Sequence, residues 1–421
     1  MAGATRRRCT HMVRRRKMTE KTDDSAISAS RRNFVKGAGA LALFGGVAPA
    51  VLAKSTAPLK FGSLNTYSKV YAGLGNANLN GMQLYFDQIG NTIAGRKIQI
   101  IKEDDELNPQ VGLQKLKKLV ELDQCDLITG IQGSNIAMAA VQYLRQSQAF
   151  LLCSGAGATE LSYVGLPYLF RCSAATYPTM ETMAKYFYDN IDKRVVLTTS
   201  DFAGGRDALA GFKSGFQTRG GTVIKEIYPP LGNNDFGPYL ADIRNTDVKA
   251  TFSFYAGTDA VRFVKQYDEY GLRQKYRLTG SGFMLESDTL PAQGRSALGA
   301  INVLHYADTL DNAENLKFVS DYLARYKEYP SVYSEYGYVA ARVLHLSLEA
   351  VDGNTEAKEK LREAMRAVKF NAPRGPFRFT PETQSPTQNI YIREVAEING
   401  RITNKVIFTF KDVPEPAKRP V

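Results

Sequence analysis

The stretch Ile128-Thr-Gly-Ile-Gln-Gly-Ser-Asn-Ile-Ala-Met138 leaves an apolar strand pattern at Gly133-Ser134 and enters a helical one. A helix that starts at such a break leaves its first backbone N–H groups without acceptors, and its dipole favours negative charge there. Gly133, Ser134 and Asn135 can therefore hold an anion through N–H groups and one hydroxyl. The local alternative is that Ser134 caps the helix and binds nothing else. Covalent chemistry is poorly supplied: His305 and His345 are the only histidines after residue 53, no Cys-x-x-Cys pair occurs, and neither a P-loop nor a Gly-x-Ser-x-Gly elbow is present. Ser154-Gly-Ala-Gly-Ala-Thr159 follows a strand pattern as a dinucleotide loop would. Glu160 stands where the third glycine belongs, however, and no helix of useful length follows. No metal and no cofactor are expected.

The elements that must position these residues alternate. From Leu59 the apolar runs LKFGSLN, KIQIIKED, CDLITGI and AFLLCSG are separated by the helical patterns NANLNGMQLYFDQIG, PQVGLQKLKKLVEL and SNIAMAAVQYLRQSQ. That is the βαβ rhythm of a parallel sheet. In the third helix Ile136, Ala139, Ala140, Tyr143 and Leu144 make one buried stripe. The rhythm restarts after Arg171-Cys-Ser-Ala-Ala-Thr176 with strands RVVLTTSD, TVIKEIYP, ATFSFYAG and YRLTGSG, which predicts a second α/β lobe. Helices in NLKFVSDYLARYKEY, SEYGYVAARVLHLSLEAV and EAKEKLREAMRAVKF have no partner strands and are expected back on the first lobe. Asn399-Gly400, between IYIREVAEI and RITNKVIFTF, signals a hairpin with a type I′ turn.

Crossings between lobes near residues 173, 305 and 372 predict a hinged clamshell. Residues 54–173 and 306–371 form lobe one, residues 174–305 and 372–412 form lobe two, and the Pro-rich, charged residues 413–421 form a loose tail. Open α/β sheets bind ligands beyond their strand C-termini. Tyr67, Tyr71, Tyr177, Phe202, Tyr255 and Phe283 fall there or just past the first crossing, and could form sandwiching aromatic walls. About half of these six are expected to touch ligand, because a chain with 23 Tyr and 21 Phe places some there by chance.

The net charge of +12 sits mostly in the first 53 residues, which hold 11 Lys and Arg against 3 Asp and Glu. In the body, basic residues are interleaved with acids, as in KEDDE and RYKEY. That is a solvated surface, and no nucleic-acid partner is expected. The leader reads Ser30-Arg-Arg-Asn-Phe-Val-Lys36, then GAGALALFGGVAPAVLA, and resembles a twin-arginine export signal cleaved near Ala53. Its apolar run is shorter than the about 20 residues of a membrane span. Cys125, Cys153 and Cys172 remain after it; they read as buried single thiols, with Cys153 and Cys172 the one pair to consider for a disulfide.

Several phrases, in order, resemble the type I periplasmic solute-binding proteins of branched-chain amino-acid transporters: NLNGMQLYFDQIG, GRKIQIIKEDDELNPQVGLQKLKKLV, GIQGSNIA and LPYLFRCSA. The resemblance runs from about Leu59 to Phe410. It implies two doubly wound α/β lobes joined by a three-segment hinge, and a monomeric, non-enzymatic periplasmic receptor that hands a small molecule to an ABC permease. In that family the first lobe grips the ligand's carboxylate with a Ser that Ser134 matches, and with small residues after the next strand. Here those residues are Ser154, Ala156 and Gly157, with Gly157 in the place of the relatives' Thr. The hydroxyl is then lost, or supplied by Ser154 or Thr159, while the backbone donors of Ala156 and Gly157 remain.

Amino-acid binders of the family also carry an acid just after the strand that here reads Tyr276-Arg-Leu-Thr-Gly-Ser-Gly282-Phe283. Gly282 or Ser281 occupies its place, and Glu286 and Asp288 come several residues later. A desolvated ammonium without a carboxylate partner is costly, so the expected ligand is a carboxylate on an uncharged body, aromatic or similarly apolar. A branched-chain amino acid paired with Glu286 is the alternative. An exported two-lobed enzyme or a sensor domain are the readings from other classes. Arg206 offers a second carboxylate clamp, with surface solvation the competing reading.

Overall fold

The computed structural model describes residues 56–420. The expected twin-arginine signal and its cleavage near Ala53 lie outside the described residues. The first lobe contains β1 (Leu59–Asn65), α1 (Ala72–Gln88), β2 (Thr92–Ile93), β3 (Arg96–Asp104), α2 (Pro109–Lys117), β4 (Leu127–Gly130), α3 (Ser134–Ser147), β5 (Leu151–Cys153) and β6 (Leu169–Arg171). Its six-stranded sheet has the order β2-β3-β1-β4-β5-β6. All pairs are parallel except β2 with β3. β4 and β5 are buried along their whole length, as strands covered on both faces must be.

The second lobe follows with α4 (Thr176–Asn190), β7 (Arg194–Thr199), α5 (Ala203–Thr218), β8 (Thr222–Ile227), α6 (Gly237–Arg244), β9 (Ala250–Phe254), α7 (Gly257–Glu269), β10 (Arg277–Ser281), α8 (Leu290–Gln293) and β11 (Ile301–Leu304). The chain then gives α9 (Ala313–Tyr326), α10 (Val332–Glu349) and α11 (Lys358–Arg366), which return to the first lobe. Tyr336, Val339 and Leu344 of α10 share a core with Phe61, Met82 and Phe86. The helices cross tightly: a Cβ on Gly81 would lie 1.8 Å from Ser334 O, and one on Gly337 would lie 1.8 Å from Asn78 O. Only glycine permits that approach.

The chain ends with β12 (Lys369–Ala372), β13 (Gly375–Phe379), β14 (Pro386–Ile398) and β15 (Arg401–Val413), all added to the second sheet. Its order is β12-β13-β14-β11-β10-β9-β7-β8, with β15 on β14. Asn399 and Gly400 both have positive φ, 51° and 76°, as a type I′ turn requires. β12 and β13 were not foreseen: they are short, and Pro373 and Pro376 interrupt the apolar alternation. Residues 414–420, expected as a loose tail, lie against the first lobe. Glu415 is buried, Tyr163 donates to Glu415 and to Pro416 O, and Arg419 pairs with Glu160 at 2.9 Å. Cys153 and Cys172 are free, buried thiols at strand ends.

The three crossings meet in one buried polar cluster. Arg374 donates to both oxygens of Glu335 on α10, to Cys172 O at 2.8 Å and to Gln388 at 2.8 Å. Ala174 N donates to the Tyr336 hydroxyl, and the His305 ring stacks on Tyr336 with centroids 5.0 Å apart. Beside them Arg393 of β14 donates to Asn302 and to Glu286. Glu286 also accepts from Val332 N, so a second-lobe carboxylate caps the first turn of first-lobe α10.

Candidate functional site

A cavity of 140 Å³ opens between the lobes, at the C-terminal ends of the two parallel sheets. Its first-lobe wall is Tyr71, Leu74, Leu107, the turn Gln132–Asn135, Gly155, Gly157 and Tyr333. Thr176, Phe202, Gly204, Leu231, Phe254, Ala256 and Phe283 close it from the second lobe. Among the described residues, no Asp, Glu, Lys, Arg or His lines it. A larger cavity of 550 Å³ lies between α1 and the Asp288, Glu328 and Arg401 side chains, but charged residues line it and Arg401 there is already paired with Asp308. The smaller cavity joins helix-terminal donors to aromatic walls.

At the polar end, Gly133 is the N-cap of α3 and Ser134 is its first residue, with no side chain capping the helix. The Ser134 hydroxyl is thus not spent on the cap. The side chain is 9% exposed, and its oxygen lies 3.6 Å from where a Cβ on Gly204 would sit on the opposite lobe. Ile136 and Ala137 donate to Gly133 O, while the N–H groups of Ser134 and Asn135 have no protein acceptor among the described residues. The turn into this helix puts Ile131 at φ 59°, a strained conformation for a β-branched residue. Two bonds hold it there, Ile131 N to Leu64 O and Ala156 N to Ile131 O.

That second bond occupies the backbone donor of Ala156, which is fully buried and does not line the cavity. Ser154 is likewise turned away: its hydroxyl donates to Asn78 of α1 at 3.2 Å, and its carbonyl accepts from Asn78 at 2.9 Å. Thr159 gives both its N–H and its hydroxyl to Asp207 of α5. Neither can replace the hydroxyl missing at Gly157. Gly157 does line the cavity, and a Cβ there would lie 2.8 Å from the Thr176 hydroxyl. The side chain that fills this space comes from the other lobe.

Along the apolar end, Phe202, Phe254, Phe283 and Tyr333 form a chain of rings with centroids 6.1, 5.9 and 5.9 Å apart. Tyr71 completes it, its hydroxyl pushed well above the usual range by burial and then by the charge of Asp259. Asp259 itself is committed to Ser200, Gly232 N and Arg262. Tyr255 does not reach the cavity. It follows Phe254 on the opposite face, bonds to Thr198 at 2.6 Å and stacks on Phe263 at 4.2 Å, because successive strand residues point to opposite sides. Tyr67 is held by Ser63, and Tyr177 packs on Gly211 of α5; neither lines the cavity. Arg206 is on the surface, paired with Asp201 and stacked on Tyr228.

Gly282 is buried behind the wall rather than in it. A Cβ there would sit 2.3 Å from an Arg393 nitrogen, so the place of an acid after β10 is filled by Arg393. Glu286 is spent on that same arginine and on α10. The sequence candidates did not include Leu74, Leu107, Gln132, Gly155, Thr176, Gly204, Leu231, Phe254, Ala256 and Tyr333, which also line the cavity. For Phe254 and Ala256 the signal was present but assigned to the wrong strand face; for Gln132 its place one residue before the Gly133-Ser134 break was the clue.

The sequence pattern of the periplasmic binding protein family matches residues 58–401. The chain is 31% identical to Leu/Ile/Val-binding protein homolog 6 of Brucella melitensis biotype 1, over 90% of this chain and 97% of that one. It is similar to an ABC transporter substrate-binding protein from Sphaerobacter thermophilus, with 35% identity and a TM-score of 0.81 over 86% of this chain and all of the other. It is also similar to an ABC transporter solute-binding protein from R. palustris in complex with benzoate, with 32% identity and a TM-score of 0.79, covering 85% and 97% of the two chains. With a clamshell of two α/β lobes and a ligand-sized cavity between them, the chain belongs to the periplasmic binding protein family and is a substrate-binding protein of an ABC transporter, not an enzyme.

Proposed function

We propose that this receptor captures a small carboxylate with a single-ring apolar body, an aromatic acid, and delivers it to its permease. One observation carries the reading: the cavity offers unpaired N–H and hydroxyl donors at one end, rings at the other, and no charged side chain. Its 140 Å³ is close to the about 150 Å³ of an apolar cavity that takes up benzene. The benzoate bound by the R. palustris protein fits the same description. Because the two walls belong to different lobes, ligand binding favours the closed form, and closure is what the permease reads. The acid-free lining speaks against the branched-chain amino-acid alternative, whose ammonium would have no partner there.

Melting shifts against benzoates, phenylpropanoid acids, fatty acids and branched-chain amino acids test this; a response to leucine alone sinks it. Ser134→Ala should weaken benzoate by about 1–3 kcal/mol, read by calorimetry. We further propose that the protein works as a monomer in the periplasm, exported through the twin-arginine pair Arg31-Arg32. Cell fractionation after replacing both arginines with lysine checks the route, and light scattering checks the monomer.

A further inference from the structure

At the foot of the anion site stands Gln132, a buried amide side chain whose nitrogen the protein itself does not use. It lines the cavity and is only 8% exposed, and its Nε2 has no acceptor among the described residues. A buried amide nitrogen is nearly always partnered, and each exception asks for an explanation. The surroundings hold this one in place: a Cβ on Gly155 would lie 2.5 Å from Gln132 Oε1, so the glycine of the next strand's loop leaves room for the amide. Gln132 follows the strained turn at Ile131 and lines the same cavity as Gly133, Ser134 and Asn135 at the start of α3.

We propose that Gln132 is a specificity-determining donor that completes the carboxylate site with Ser134 and the free N–H groups of α3. The inference rests on the carboxylate reading of the cleft. Its physical content is that the ligand's negative charge is met by dipoles alone. A neutral amide donor suits a carboxylate without adding charge to the cleft.

Titration calorimetry of the purified protein with benzoate and with leucine tests it in three forms, wild type, Gln132→Met and Gln132→Glu. Gln132→Met keeps the length and removes the donor; benzoate should bind about tenfold more weakly, while the melting temperature of the free protein stays the same or rises. Gln132→Glu keeps the shape and places a carboxylate against the ligand's own. Benzoate affinity should then fall at least about a hundredfold at pH 8 and recover partly at pH 5, a pH dependence that a merely structural residue would not produce. If the wild type binds benzoate and both variants bind it equally well across that range, Gln132 is not a donor and only this inference falls. If the wild type binds leucine instead and Gln132→Met weakens it, the donor role stands and the aromatic reading falls. Binding of neither ligand overturns both.

Discussion

The ligand cavity and the hinge lie in the same interface between lobes and differ in charge: the cavity lining carries none, and the hinge buries several charged groups. Around the cavity, donors are left open: the Ser134 and Asn135 N–H groups, the Ser134 hydroxyl and the Gln132 amide. At the hinge, charges are buried deeply and tied to one another. Arg374, Glu335, Arg393 and Glu286 are almost wholly inside, and each makes two or more bonds. A hinge must keep its geometry while the lobes move, so unpaired charge there would be costly in every state. The cleft must be incomplete until a ligand arrives, so its unsatisfied donors are what make binding favourable.

The largest effect expected from breaking that contrast is at Arg374. Arg374→Met leaves Glu335 buried without its partner and should cost about 3–5 kcal/mol of stability by urea unfolding. The double variant with Glu335→Leu should recover most of it. A single-variant loss below about 1 kcal/mol, the size of an exposed pair, would mean that the hinge charges are not interlocked. A smaller effect separates the two faces of β9. Phe254→Ala should weaken benzoate about tenfold or more, whereas Tyr255→Phe should leave affinity alone and cost about 1 kcal/mol of stability through the lost bond to Thr198. The reverse pattern in calorimetry and unfolding would put Tyr255, not Phe254, on the ligand.

The smallest effect is a pH dependence at the lobe junction. Burial lifts Glu286 from its ordinary 4.5 to about 7, with Arg393 opposing. Between those values the native protein keeps a proton that the unfolded chain has released. The stabilising contribution of Glu286 is therefore full below about pH 4.5, declines as pH rises, and levels off above about pH 7. Glu286→Gln should flatten that part of the melting profile. Parallel profiles for wild type and variant would show that Glu286 is ionised throughout, with Arg393 outweighing burial.

Much of the fold was legible because its signals are local. Strand and helix periodicities alternate from Leu59 onward, and Asn399-Gly400 names its own turn. The anion end was legible for the same reason: a strand that breaks into a helix at Gly133-Ser134 puts Ser134 at a helix start wherever the helix lies. Beyond such local stretches the reading weakened. Tyr255 and Phe254 differ by one residue, and with a side-chain period of two that difference decides between core and cleft. Ser154 and Thr159 carry the right hydroxyls, but Asn78 and Asp207, distant in the chain, claim them.

What the sequence determined by itself was the alternating α/β chain, the helix start at Gly133-Ser134, and the lack of an acid after β10. The tertiary structure alone decided which donors remain free, because a hydrogen bond from another segment can remove a group from the site without leaving any local trace. It also supplied the reason for the missing acid: Arg393, arriving from β14, fills the space beside Gly282 and binds Glu286.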